Sequence, residues 1–123
     1  RLEFAGKDIV EKIIEKLKNT KNEEIEMRCM DVLVNFHGDE RIYRRLKEMF
    51  NEYTNTSLLA AYLGKYGDER AVGILKEALD WQDINYLDYI EIRHAIEELG
   101  VEVDHSRQFE GDPFYESLKN IEN

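Results

Sequence analysis

Gly38-Asp39-Glu40-Arg41 returns as Gly67-Asp68-Glu69-Arg70, and Leu46-Lys47-Glu48 returns as Leu75-Lys76-Glu77, both at an offset of 29 residues. Seven identities at one constant offset are the mark of an internal repeat. A period of this size is one supersecondary unit, a helical hairpin that must bury its apolar edge against a neighbour. The expected fold is therefore all-α: a short right-handed α-α superhelix of three to four hairpins.

The helices are read outward from the repeated turns. Ile9, Ile13, Ile14 and Leu17 share one face of a helix over 8–18, spaced by 4, 1 and 3. A second helix is expected over 23–36, with Ile25, Cys29, Val32, Leu33 and Phe36 inward, and Gly38 ending it in the left-handed region. Asp39 then caps a helix to about Tyr53 with Ile42, Leu46, Met49, Phe50 and Tyr53 on its apolar stripe. A fourth helix carries Leu58, Leu59, Ala61, Tyr62 and Leu63. Gly67 and Asp68 repeat the stop and start, and a fifth places Ala71, Val72, Leu75, Ala78 and Leu79 inward. After the connector 81–85, a sixth helix over 86–99 buries Leu87, Ile90, Ala95, Ile96 and Leu99. Residues 101–111 are expected to be irregular. Asp112-Pro113 then starts a terminal helix with Phe114, Leu118 and Ile121 on one face. Gly6-Lys7-Asp8 reads as one more copy of the turn, at an offset of 32, and Leu99-Gly100 echoes Leu63-Gly64 at 36. One domain spans 1–123, with approximate units 6–22, 23–53, 54–80 and 84–123. The opening on Arg1 rather than Met suits a segment of a longer chain.

The stretch Ala60-Ala61-Tyr62-Leu63-Gly64-Lys65-Tyr66-Gly67-Asp68-Glu69-Arg70-Ala71-Val72, with Leu75 and Leu79, resembles a HEAT-like repeat of the phycobilisome-lyase type. The likeness covers about residues 6–104. The 24–53 unit departs from it, with Val32 and Leu33 where the small pair and tyrosine stand. The resemblance implies structural roles for Asp39 and Asp68 as helix caps and for Arg41 and Arg70 as bridges between units. It also implies that second helices line a concave binding face, which singles out Tyr43, Arg44 and Lys47 in one unit and Lys76, Glu77 and Asp80 in the next. That face would run from basic to acidic.

Composition narrows the function. Hydrophobic residues make up 42% of the 123 and charged residues 36%, enough for a core under solvated helix faces. No apolar run approaches the roughly 18 residues of a membrane span. The lone Cys29 sits in the apolar pattern of its helix and makes the cytoplasm the expected compartment. Residues 1–67 carry 12 acidic and 12 basic side chains, whereas 68–123 carry 15 acidic and 5 basic, so the whole net charge of −10 lies in the C-terminal part. Such an excess disfavours a nucleic-acid backbone and suits a basic protein partner.

Catalytic devices are not legible. Relatives of the repeat that hydroxylate a modified lysine bind di-iron through His-Glu pairs; here His37, His94 and His105 precede Gly38, Ala95 and Ser106. Trp81, Tyr86 and Tyr89 lie among acidic residues, unlike the basic groove of HEAT-like glycosylases. The segment 104–112 alternates oxygen-bearing side chains, but its glycine stands at the eighth position and Tyr115 at the twelfth, so it reads as a solvated loop rather than a calcium site. The expected function is a non-catalytic protein-protein interaction module or adaptor without cofactor or metal. The alternatives are an acidic inhibitor or immunity-type protein and a lyase-type chaperone subunit.

Overall fold

In the computed structural model, residues 2–122 are described, with side chains from Gly6 to Ile121. The chain is all-helical: among the described residues there are seven helices and no strand. They are α1 (Leu2–Asn19), α2 (Glu23–Leu33), α3 (Glu40–Glu52), α4 (Thr56–Tyr66), α5 (Ala71–Ala78), α6 (Tyr86–Glu98) and α7 (Pro113–Glu122). Consecutive helices pack on one another, and the most extensive packing, α4 on α6, skips one. Gly64 makes that approach possible: a methyl group on it would lie 2.9 Å from the Ala95 Cα. No helix among the described residues is long and apolar enough to cross a membrane.

One core runs through the helices. Val10, Ile14 and Leu17 enter it from α1, Met27, Cys29, Met30 and Leu33 from α2, and Ile42, Leu46, Met49 and Phe50 from α3. Leu59, Leu63, Leu75, Ile92 and Ile96 continue it. The i, i+3, i+4 spacing is what lets each helix turn one stripe inward.

Several expectations are corrected. Gly6-Lys7-Asp8 is not a turn but lies inside α1, which begins at Leu2. Its helical backbone there is compatible with glycine, and Gly6 sits against the Phe36 ring. Ile9, Val32, Leu58 and Leu87 are exposed rather than inward, because each stands about a quarter-turn off the stripe actually used. On α6 that stripe is Tyr89, Ile92, Ala95 and Ile96. α2 ends at Leu33, and Gly38 falls in the turn beyond it, with φ +91°. Gly67 does end α4 in the left-handed region, its N–H donating to the Leu63 carbonyl.

The loop 101–112 is irregular but not simply solvated. It leaves α6 by a Schellman turn, with the Gly100 N–H on the Glu97 carbonyl and the Val101 N–H on that of Ile96. Phe109 is buried against Tyr86 and Tyr89. Asp112 joins two helix starts: Oδ1 accepts from the N–H groups of Phe114 and Tyr115, and Oδ2 from that of Tyr86. These backbone bonds, Tyr86 foremost, hold its carboxyl below the usual range. On α7, Phe114 and Ile121 are exposed and Leu118 is half-buried.

Candidate functional site

The turns before α3 and α5 show the same bonds 29 residues apart. The Arg41 N–H donates to Asp39 Oδ1 at 3.0 Å and the Arg70 N–H to Asp68 Oδ1 at 2.9 Å. Each guanidinium then folds onto its own aspartate and forks across to a second carboxylate: Arg41 to Glu11 at 2.6 and 3.1 Å, Arg70 to Glu40 at 2.7 and 3.1 Å. Hydrogen bonding to these arginines depresses the carboxyls of Asp39 and Asp68. The Tyr66 hydroxyl accepts from the Asp39 N–H and donates to its carbonyl, both at 2.8 Å. His37 sits on the Tyr66 carbonyl through Nδ1, which must carry the proton because a carbonyl only accepts. The turn between α2 and α3 is thereby tied to the end of α4.

Of the residues singled out for partner binding, Tyr43 is buried. Its ring lies under the Arg70 guanidinium, 4.1 Å from the centroid, and burial pushes its phenol pKa up. Arg44, Lys47, Lys76, Glu77 and Asp80 are exposed. Arg44 alone among the arginines with described side chains has neither a hydrogen bond nor an ion pair. It lines a cleft of about 380 Å³ with Lys18, Arg41 and Arg45, which the carboxylates of Glu26 and Glu48 also line. Of the three residues singled out in that unit, Arg44 and Lys47 are open to solvent and Tyr43 is not.

Asp80 belongs to a different constellation. It accepts from His105 Nε2 at 2.9 Å, so in the neutral ring Nδ1 is bare and accepts from the Tyr89 hydroxyl, also 2.9 Å away. Arg93 Nη1 donates to both the Tyr89 oxygen and the His105 carbonyl. Arg107 Nη1 donates to the carbonyls of Leu79 and Trp81, at 2.8 and 2.7 Å, and its guanidinium lies over Phe109. The loop 101–112 is thus stitched onto the end of α5 and the face of α6. A third polar centre lies between α2 and α3, where Glu26, 3% exposed, takes a fork from Arg45 at 2.9 and 3.1 Å and a bond from the Tyr53 hydroxyl.

Sequence reasoning gave no role to Glu26 or Arg93 and read Tyr89, His105 and Arg107 only as packing or solvated-loop residues. Glu26 falls at an inward position of α2, beside Met27 and Met30, which is a signal for a buried charge with a partner. Arg93 and Tyr89 stand four apart on one helix face, but the other contacts of these residues cross 12 to 28 residues and leave no local signal. Among the described residues, no group of three or more His, Cys, Asp or Glu is placed to hold a metal ion. No protein-family model, curated protein or solved structure matches the chain.

Proposed function

We propose that this chain is a non-catalytic protein-binding module, a short superhelix of HEAT-like hairpins that engages a basic protein partner through its acidic C-terminal half. One observation carries the reading: the few cations of that half leave most of its surface carboxylates unpaired. Of its five basic residues, Arg70 closes on Glu40 and Asp68, Arg93 and Arg107 hold backbone carbonyls, and Lys119 lies 3.6 Å from Glu110. Only Lys76 has no such contact among the described residues. Glu69, Glu77, Asp83, Glu97, Glu102 and Asp104 stand exposed without an ion pair there. Unneutralised surface charge of one sign steers and selects a partner of the other sign. The opposed basic end at Arg44 and Lys47 would set the orientation of that partner.

The test uses the tagged chain as bait and its triple charge reversal at Glu77, Asp83 and Glu97 to Lys as control. A basic protein should be captured, released steeply by salt, and lost with the reversed bait. Equal capture by both baits removes the proposal. The same charge excess also suits an acidic inhibitor. Loss of the captured protein's own activity on complex formation would select that reading, and retained activity the adaptor.

A further inference from the structure

Arginines in this chain fall into two groups. Arg28, Arg41, Arg45 and Arg70 spend their charge on carboxylates. Arg93 and Arg107 do not: neither forms an ion pair among the described residues, and each is held through Nη1 by neutral acceptors, two backbone carbonyls for Arg107, a carbonyl and a phenol for Arg93. Carbonyls fix a guanidinium in place without cancelling its charge. Nε and Nη2 of both side chains are left without a protein acceptor among the described residues.

Both arginines line one cleft of about 390 Å³ between α6, the loop 101–112 and α7. That volume lies at the lower end of the roughly 300–1,000 Å³ of small-molecule sites. His94, Ser106 and Tyr115 line it too, so residues with donor groups come from three elements. The concentration is notable because this half of the chain has only five basic residues. From this geometry we infer that the cleft binds a single phosphate group, free or as a small phosphate monoester. Planar guanidinium forks match phosphate oxygens in pairs, and forks already immobilised lose little entropy on binding. The acidic surroundings disfavour a nucleic-acid strand, which needs many phosphates neutralised at once. They do not disfavour one phosphate held inside a local positive pocket. Glu97 lines the same cleft and opposes the ligand's charge.

The experiment is a titration of the full chain with inorganic phosphate and, separately, with phenyl phosphate, followed by nuclear magnetic resonance of the backbone and arginine Nε–H signals. Saturable one-to-one binding is expected, with shifts centred on Arg93, Ser106 and Arg107. Equal affinity for both probes identifies free phosphate as the ligand; tighter phenyl phosphate with shifts at Tyr115 identifies a monoester. Arg93→Gln should weaken binding about tenfold or more, the loss of a charged hydrogen bond. Glu97→Gln, which breaks no contact of the fold, should tighten it about two- to fivefold by removing a like charge. Arg44→Gln should change nothing. No saturable shift below about 10 mM of either probe overturns the inference. So does binding that Arg44→Gln abolishes and Arg93→Gln spares. Should Arg93→Gln fail to fold, an unchanged affinity in Glu97→Gln overturns it instead.

Discussion

Arg70 closes Nη1 and Nη2 on the two carboxylate oxygens of Glu40, 3.1 and 2.7 Å away, linking the turn before α5 to the first residue of α3. The pair is half exposed, so solvent and salt weaken it. Arg70 does more than this one bond, since it also braces Asp68 and covers the Tyr43 ring. Arg70→Ala should therefore lower the urea midpoint further than Glu40→Ala; at high salt the Glu40→Ala effect should fade, whereas the Arg70→Ala effect should shrink only in part. Arg70→Lys should behave nearly as Ala, because an ammonium cannot make the fork or lie flat on the ring. Equal midpoints for the Arg70 and Glu40 variants would leave the stacking without a role.

Asp68 is not the N-cap of α5, which is Arg70, but it accepts the Arg70 N–H in the turn ahead of that helix and also forms an ion pair, and pH separates the two. Its carboxyl is depressed, chiefly by the hydrogen bond to Arg70, so its contribution is complete above the unfolded value near pH 4 and is lost as pH falls through the lower folded value. Asn can accept the same bond but carries no charge. Asp68→Asn should be less stable than the parent at neutral pH, and the gap should close in acid. Asp68→Ala should in addition lose the bond to the Arg70 N–H in the turn, about 1 kcal/mol. Leu75→Ala, in the fully buried core, should cost more, about 2–5 kcal/mol. Chemical denaturation across a pH series checks both the closing gap and the ranking.

Two helical glycines should respond in opposite directions to alanine. At Gly64 the new methyl would meet the Ala95 Cα at 2.9 Å and its Cβ at 3.1 Å, backbone that cannot yield without parting α4 from α6. Gly64→Ala should destabilise by about 1–3 kcal/mol. Gly73 in α5 has nothing within 4 Å of that position, so Gly73→Ala should stabilise by about 0.5–1 kcal/mol through helix propensity. Melting temperatures of the two variants give the answer, and a stabilised Gly64→Ala would contradict the close packing of α4 on α6.

Glu26 is the only charged side chain buried among the described residues, and its anion depends on Arg45 and Tyr53. For Arg45, burial acts to lower its pKa, but the bond to Glu26 and its field outweigh that, and the net shift is upward. Removing Arg45 alone strands the carboxylate: Arg45→Met should cost about 3 kcal/mol, the low end for a broken buried pair because Arg45 is partly exposed. Replacing both, as Glu26→Leu with Arg45→Met, should recover most of that loss. A double-mutant cycle measures it, and strict additivity would show that the pair is not coupled.

Much of the helical order was legible because it is local. Asp39, Gly67, Asp112 and Pro113 mark helix ends by chemistry that acts within four residues, and the starts of α3 and α7 fall where those residues put them. The inward stripes of α3 and α5 were also readable, since apolar residues there have one consistent period. On α6 Ala95 and Ile96 are inward as expected, but apolar residues occur on two faces, and packing put Tyr89 and Ile92 inside and left Leu87 out. Gly6 failed for a related reason: a Gly-Lys-Asp triplet is equally compatible with a helix once residues ahead of it continue the pattern.

The amino-acid sequence by itself determined an all-helical chain, the 29-residue duplication of its turns and the acidic bias of residues 68–123, all properties of neighbouring residues or of simple counting. Tertiary structure alone decided that Glu26 is paired, that Tyr43 is covered by Arg70, and that Arg93 and Arg107 share a cleft with His105. The bonds that hold these side chains join residues 12 to 28 apart. Such distances are closed only when helices pack, and the sequence carries no periodic trace of a meeting that occurs once.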